Sequence, residues 1–200
     1  MDAHVGLLGP SRLTLLRHAE VDNQQGRRFM GRSDLPLTPR GVAQAEALAG
    51  RFSGLPSCPV YASPLQRARS TARALEASGM PEAEVLEDLR ELDFGLWEGR
   101  LAEEVERDEP GPYARWRAVD PGFAFPRGDA LDATARRIAS VLGRLWPAEG
   151  GHAIVVAHGG VLRLGLCELL GLPWSACPSL RLDFTGITRL ERHAGRSVLA

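Results

Sequence analysis

A chain of 200 residues can bury a core without disulfides or a metal, and its length suits one domain. The net charge of −1 argues against general binding to nucleic acid or to a membrane surface, for which a basic surplus is needed. All 24 basic residues are Arg, so an Arg is informative only where its position is special.

Residues 1–11 read as a loose tail ahead of a domain running to residue 200. No stretch reaches the roughly 18 consecutive apolar residues of a membrane span. Cys58, Cys167 and Cys177 form no paired framework and no metal-ligand spacing, and their odd number fits a reducing compartment such as the cytoplasm. Leu13 to Leu16, after a Gly9–Ser11 turn signal, predicts a strand buried on both faces. Arg17 and His18 follow at its carboxyl end, where ligands bind in open α/β sheets, although a dipeptide alone is equally well a polar turn. Asn23 to Asp34 reads as a loop over that end.

Thr38 as N-cap and Pro39 at the first position open a helix, with Val42, Ala45, Leu48, Ala49 and Phe52 on its buried face. Pro59 to Ala62 is a short second strand. Ser63 to Gln66 then reads as a capping box, with Pro64 as the first helical residue. Arg67 falls in the first turn, where the helix dipole disfavours a cation unless an anionic ligand joins it; a solvated surface Arg is the bland alternative. Val85-Leu86 predicts a third strand. In the loop beyond it Glu91 lies between Leu89, Leu92 and Phe94, so it suits a partly buried general acid, while composition by itself favours a solvated carboxylate.

Residues 100–127 read as short helices capping the sheet. Asp129 is placed to cap a helix with Leu131, Ala135, Ile138, Leu142 and Leu145 on one face. Ala153 to Ala157 is the clearest buried strand, and His158-Gly159-Gly160 follows it directly, repeating the placement of His18. His152, six residues back along that strand, lies roughly 20 Å from His158 and cannot share its site. Leu180–Phe184 and Ile187–Glu191 are predicted to pair as a hairpin around Thr185-Gly186.

Two imidazoles, two guanidinium groups and a carboxylate, with neither a Cys cluster nor an HExxH helix, suit phosphoryl transfer better than metal hydrolysis or acyl transfer. Leu16-Arg17-His18-Ala19-Glu20, Ser63-Pro64-Leu65-Gln66-Arg67-Ala68, Glu91 ahead of Phe94-Gly95-Leu96-Trp97-Glu98-Gly99, and Ala157-His158-Gly159-Gly160 occur in that order. This pattern resembles the histidine phosphatase family. Gly31 to Thr38 further resembles its small bacterial phosphatases, which include α-ribazole phosphatase. The resemblance implies a phosphoglycerate mutase-like, three-layer α/β/α sandwich with a mostly parallel sheet, and hydrolysis of a small phosphomonoester without metal or cofactor.

By the same resemblance His18 is the phosphorylated nucleophile and Glu91 the proton donor. Arg17, Arg67, His158 and Gly159 surround the phosphoryl group, together with Asn23 or Gln24. A phosphoglycerate mutase, or an inactive phosphoester-binding module, is the rival reading. Neither a nucleic-acid nor a membrane partner is expected, and the chain is expected to be a monomer or homodimer. Ala19, Val21, Ala157 and the run Phe125 to Ala130 depart from the family's usual residues.

Overall fold

The structure is a computed structural model that describes residues 9–22, 28–193 and 196–200. Strands β1 (Ser11–Arg17), β2 (Val60–Ala62), β3 (Glu84–Val85), β4 (His152–Ala157), β5 (Ile187–His193) and β6 (Arg196–Leu199) form one sheet in the order β3-β2-β4-β1-β5-β6. β3, β2, β4 and β1 run parallel, while β5 lies antiparallel to β1 and β6 antiparallel to β5.

Helices α1 (Pro39–Gly50) and α2 (Gln66–Glu76) pack together, as do α5 (Leu131–Arg144) and α6 (Gly159–Leu170). The strand pleat sorts the core between these pairs. Leu13, Leu15, Ala153, Val155 and Ala157 join the cluster that contains Ile138, Leu142 and Leu162. Leu16, Ile154 and Val156 join Leu48, Phe52, Ala68 and Leu75. Successive side chains of a strand point to opposite faces, so two strands with buried residues on both faces supply both cores of a three-layer α/β/α sandwich. The short helices α3 (Ala102–Asp108) and α4 (Pro110–Arg117) form the cap expected from residues 100–127.

Several local expectations are corrected. The chain enters the sheet at Ser11, whose hydroxyl accepts from the Trp146 indole at 2.8 Å, so the tail ends earlier than residue 11. Thr38 caps α1 as expected, through Gly41 N–H at 2.9 Å, but Val42 is exposed: spacing identifies a face, and this residue lies at its edge. α2 begins at Gln66 after an uncapped Leu65; the Ser63 hydroxyl accepts from Leu65 N–H at 3.3 Å and from His158 and caps no residue of the helix. Asp129 does not cap α5; its carboxylate accepts from the Asp93 amide at 3.0 Å. The C-terminal hairpin is β5–β6 rather than 180–184 with 187–191, since β5 takes β1 as its other neighbour. Among the described residues no helix is long and apolar enough to cross a membrane.

Candidate active site

The carboxyl ends of β1, β2 and β4 meet at a cavity of about 620 Å³, lined at one end by Arg17, His18, Arg67, Glu91, Gly159 and Arg163. Those positions follow from the chain. His18 and His158 are the first residues after the paired strands β1 and β4, and their rings stand 5.0 Å apart, centroid to centroid. His152, at the far end of β4, bonds Thr14 instead.

His18 is buried, with Nδ1 2.7 Å from the carbonyl oxygen of Ala19. A carbonyl can only accept, so Nδ1 carries the proton and Nε2 of the neutral ring keeps its lone pair. Burial, reinforced by Arg67 and Arg17 and opposed by the bond to Ala19, pushes the ring's pKa down to about 3. Burial, with neighbouring positive charge, thus holds this imidazole unprotonated.

His158 is fully buried. Its Nδ1 accepts from Arg67 Nε at 3.2 Å, so the neutral ring's proton is on Nε2, which donates to Ser63 Oγ at 2.6 Å. Burial comes first, then the nearby His18, Arg67 and Arg17, in holding it well below the usual imidazole range. With both nitrogens bound to protein, His158 acts on the cavity through Arg67.

Arg67 is 2% exposed, which rules out the solvated surface reading. It also donates to the carbonyl oxygens of Ser33 and Gly31, at 2.7 and 2.8 Å. That loop is pinned in turn by Glu98, which accepts from the amides of Gly31 and Ser33 and from the Ser33 hydroxyl. Glu98 was legible only as part of a motif; its clamp on the segment holding Arg67 needs the fold. Arg17 donates through Nη1 to Leu182 O at 2.7 Å, and its guanidinium lies 4.1 Å from the centre of the Phe184 ring. Arg17 Nε is buried and has no hydrogen-bond partner among the described residues. Burial lowers the pKa of both Arg17 and Arg67, while Glu91 opposes it in each case, and a guanidinium stays charged regardless.

Glu91 is 6% exposed, so the solvated-carboxylate reading also fails. It sits against the N-terminus of α6, accepting from Gly160 N–H at 2.9 Å, Val161 N–H at 3.0 Å and Leu92 N–H at 3.1 Å. The unpaired amides and positive dipole end of the helix suit a carboxyl there. Gly160 permits this approach, since a Cβ there would lie 2.7 Å from Glu91 Oε1; a Cβ on Gly159 would lie 3.1 Å from Arg163 Nη1 and 3.4 Å from Arg17 Nε. Asn23 and Gln24, the two candidates for a further phosphate contact, lie outside the described residues. Arg163, which sequence reading passed over as a helix residue, also borders the cavity and donates to the carbonyls of Leu180 and Gly159.

The cavity is also lined by the apolar and aromatic residues Phe29, Phe94, Tyr113, Trp116 and Leu131, with Arg28 and Arg117 beside them. Phe29 packs against Trp116 and Phe94 with ring centres 4.9 and 5.2 Å apart. Among the described residues no group of three or more His, Cys, Asp or Glu side chains could hold a metal ion. The positive charge at the site comes instead from fixed guanidinium groups, an arrangement able to bind a phosphoryl group and to stabilise charge developing on it.

The two buried imidazoles make stability depend on pH. An unfolded chain protonates His18 below about pH 6.5, whereas the folded chain refuses that proton down to about pH 3. The penalty is absent above 6.5 and grows as the pH falls toward 3, reaching roughly 4–5 kcal/mol at most for His18; His158 acts in the same direction. The thermal midpoint should therefore fall between pH 7 and pH 4.5, and fall less in His18→Ala. Parallel losses in the two proteins would mean that burial of the neutral His18 ring is not the source.

The family profile described as histidine phosphatase superfamily (branch 1) matches residues 13–200. Adenosylcobalamin/alpha-ribazole phosphatase of Salmonella typhimurium is 33% identical over 175 residues, covering 86% of each chain. Phosphoserine phosphatase 1 of Hydrogenobacter thermophilus is 31% identical over 191 residues, covering 94% of this chain and 90% of its own. Among solved structures, the mycobacterial glucosyl-3-phosphoglycerate phosphatase superposes with a TM-score of 0.84 at 29% identity, covering 95% of this chain and 97% of that one. The three names have a phosphatase activity in common and differ in the rest of the substrate.

Proposed function

The chain belongs to the histidine phosphatase superfamily and is a phosphatase, and from that premise we propose that it hydrolyses a small phosphomonoester through a phosphohistidine on His18, without a metal. The observation that carries this reading is the Nδ1–H bond from His18 to the Ala19 carbonyl, which leaves Nε2 as a lone-pair nitrogen beside Arg17 and Arg67.

In the first step Nε2 attacks phosphorus, the bond to the alcohol oxygen breaks, and Glu91 delivers a proton to that oxygen. The ring becomes cationic as it is phosphorylated, and the Ala19 carbonyl, still accepting from Nδ1–H, stabilises that charge. In the second step water attacks phosphorus, Glu91 takes its proton, and the N–P electron pair returns to Nε2. Arg17 and Arg67 stabilise the charge on the transferring group, with His158 holding Arg67 by its Nε–H.

Arg67→Ala should reduce kcat by about 100- to 1000-fold, the scale for losing one donor aimed at a transition-state charge. Lys should restore only part of this, because an ammonium lacks the fork that meets both the loop carbonyls and an anion. Near-normal turnover in Arg67→Ala would return the residue to a purely structural role.

For the leaving alcohol we infer one carrying a flat apolar group, of the kind in α-ribazole 5'-phosphate. Phe29, Phe94, Tyr113 and Trp116 offer aromatic faces beyond the cationic end, and a small zwitterionic alcohol such as serine would leave them uncovered. Steady-state phosphate release from α-ribazole 5'-phosphate, phosphoserine and 3-phosphoglycerate tests both parts. We expect kcat/KM for the first to exceed the others at least tenfold. A preference for phosphoserine would reject the aromatic alcohol, and interconversion of 2- and 3-phosphoglycerate outpacing phosphate release would make the protein a mutase.

A further inference from the structure

Cys167 lies in the third turn of α6, the helix whose first amides hold Glu91, and Cys177 lies in the 3-10 segment Trp174–Ser179 that packs against it. Both thiols are free and buried, and their sulfur atoms are 3.1 Å apart. Cys177 is also among the residues that line the cavity over His18. Cys58 has no such neighbour: the sulfur near it belongs to Met80, at 3.9 Å, a thioether that cannot be bridged.

We propose that Cys167 and Cys177 form a dithiol–disulfide couple, oxidised by hydrogen peroxide arriving through the active-site cavity. Sulfur of Cys177 attacks one peroxide oxygen, the O–O bond breaks, and water leaves, giving a sulfenic acid. Sulfur of Cys167 then attacks that sulfur and a second water leaves. Two thiols are oxidised by two electrons and one peroxide is reduced to two waters. The sulfurs need approach by only about 1 Å to reach the disulfide separation of about 2.0 Å.

Oxidation through this route is slow. Burial, with the bond to Cys167 next, pushes the Cys177 thiol up to about 12, and Arg163 only partly opposes this. Little thiolate is present at neutral pH, and the thiolate is the nucleophile.

The bridge would fasten the wall of the cavity to α6. Beyond Cys177 the chain supplies the Leu180 carbonyl to Arg163, the Leu182 carbonyl to Arg17, and the Phe184 ring under the Arg17 guanidinium. Fixing its base to the helix that carries Gly159 and Gly160 joins the supports of Arg17 and Glu91 by a covalent link.

Trypsin releases both cysteines in one peptide, residues 164–181, and Cys58 in another. The folded full-length protein is treated with hydrogen peroxide for several hours, unfolded, alkylated without reduction and digested. We expect the 164–181 peptide to lack two hydrogens and both alkyl groups, and to regain them after dithiothreitol, while Cys58 is alkylated throughout. The oxidised protein should melt several degrees above the reduced one, since the bridge constrains the unfolded chain. In Cys167→Ala the same treatment should carry Cys177 to the sulfinic acid, because no second thiol intercepts the sulfenic acid. Two alkylated cysteines in the wild-type peptide, a sulfinic acid on Cys177 with Cys167 still alkylated, a bridge between two chains, or a lower melting temperature on oxidation would each overturn the couple.

Discussion

Replacement of His18 by Ala should abolish turnover, by about 10⁵-fold or more, on the scale found when a covalent nucleophile is removed. The loss should extend to every phosphomonoester, because on the proposed mechanism it removes the atom that attacks phosphorus and not a contact with one alcohol. Incubation of the wild-type protein with a labelled substrate, followed by a denaturing quench, should trap a label that is stable in base and lost in acid, as a phosphoramidate is. The variant should trap none. Folding is a separate matter, and the site itself separates it: His18 sits in the core at a cost that rises below pH 6.5, so its replacement removes an electrostatic burden as well as some packing. A variant that melts cooperatively at pH 7 yet neither turns over nor labels would be chemically dead and folded. Persistent labelling of His18→Ala would move the nucleophile elsewhere and dissolve the reading of Nε2.

The parts of this site that were legible in sequence are those fixed by local chemistry. Leu13 to Leu16 and Ala153 to Ala157 are apolar runs of strand length, and the polar residues after them had to emerge at the sheet's carboxyl edge; the strands pair in register, Leu16 beside Val156 and Arg17 beside Ala157, which brings His18 and His158 together. Arg67 was conspicuous because a cation in the first turn of a helix is out of place without an anion. What could not be read is what depends on residues far apart in the chain.

Ser63 looks like a helix cap in sequence and in the fold orients His158, 95 residues away. Glu98 holds the Gly31–Ser33 loop from 65 to 67 residues away. The strand β6 has an exposed pattern on an edge, where burial leaves no signature. The cysteines illustrate the same limit: their spacing suggested no paired framework, but only the packing of α6 against Trp174–Ser179 shows that two of the three touch.

Glu91 offers the sharpest test of the proposed mechanism, because its position suits two jobs that a simple loss of activity cannot tell apart. It borders the cavity next to the cationic end, as a proton donor to the leaving oxygen must. It also receives three backbone N–H bonds, two of them from the start of α6, and so holds in place the Gly159-Gly160 segment packed against Arg17. In Glu91→Gln the amide oxygen can replace only one carboxylate oxygen, while the new NH₂ faces amides that also donate, so some loss through mispositioning is expected on any substrate. The proton shows itself in the difference between substrates. An alkyl alkoxide is a poor leaving group and needs protonation as its bond to phosphorus breaks, whereas para-nitrophenolate leaves without help. Glu91→Gln should slow an alkyl phosphate by about 100-fold or more beyond any loss shared with para-nitrophenyl phosphate, within the usual range for general acid catalysis. Its dephosphorylation step should slow on both, since the same carboxylate takes a proton from water, and single-turnover measurements separate that step from the first. Equal losses in the first step on alkyl and aryl substrates, with no leaving-group dependence, would assign Glu91 to holding the helix and leave the proton donor to be sought among the other groups facing the cavity.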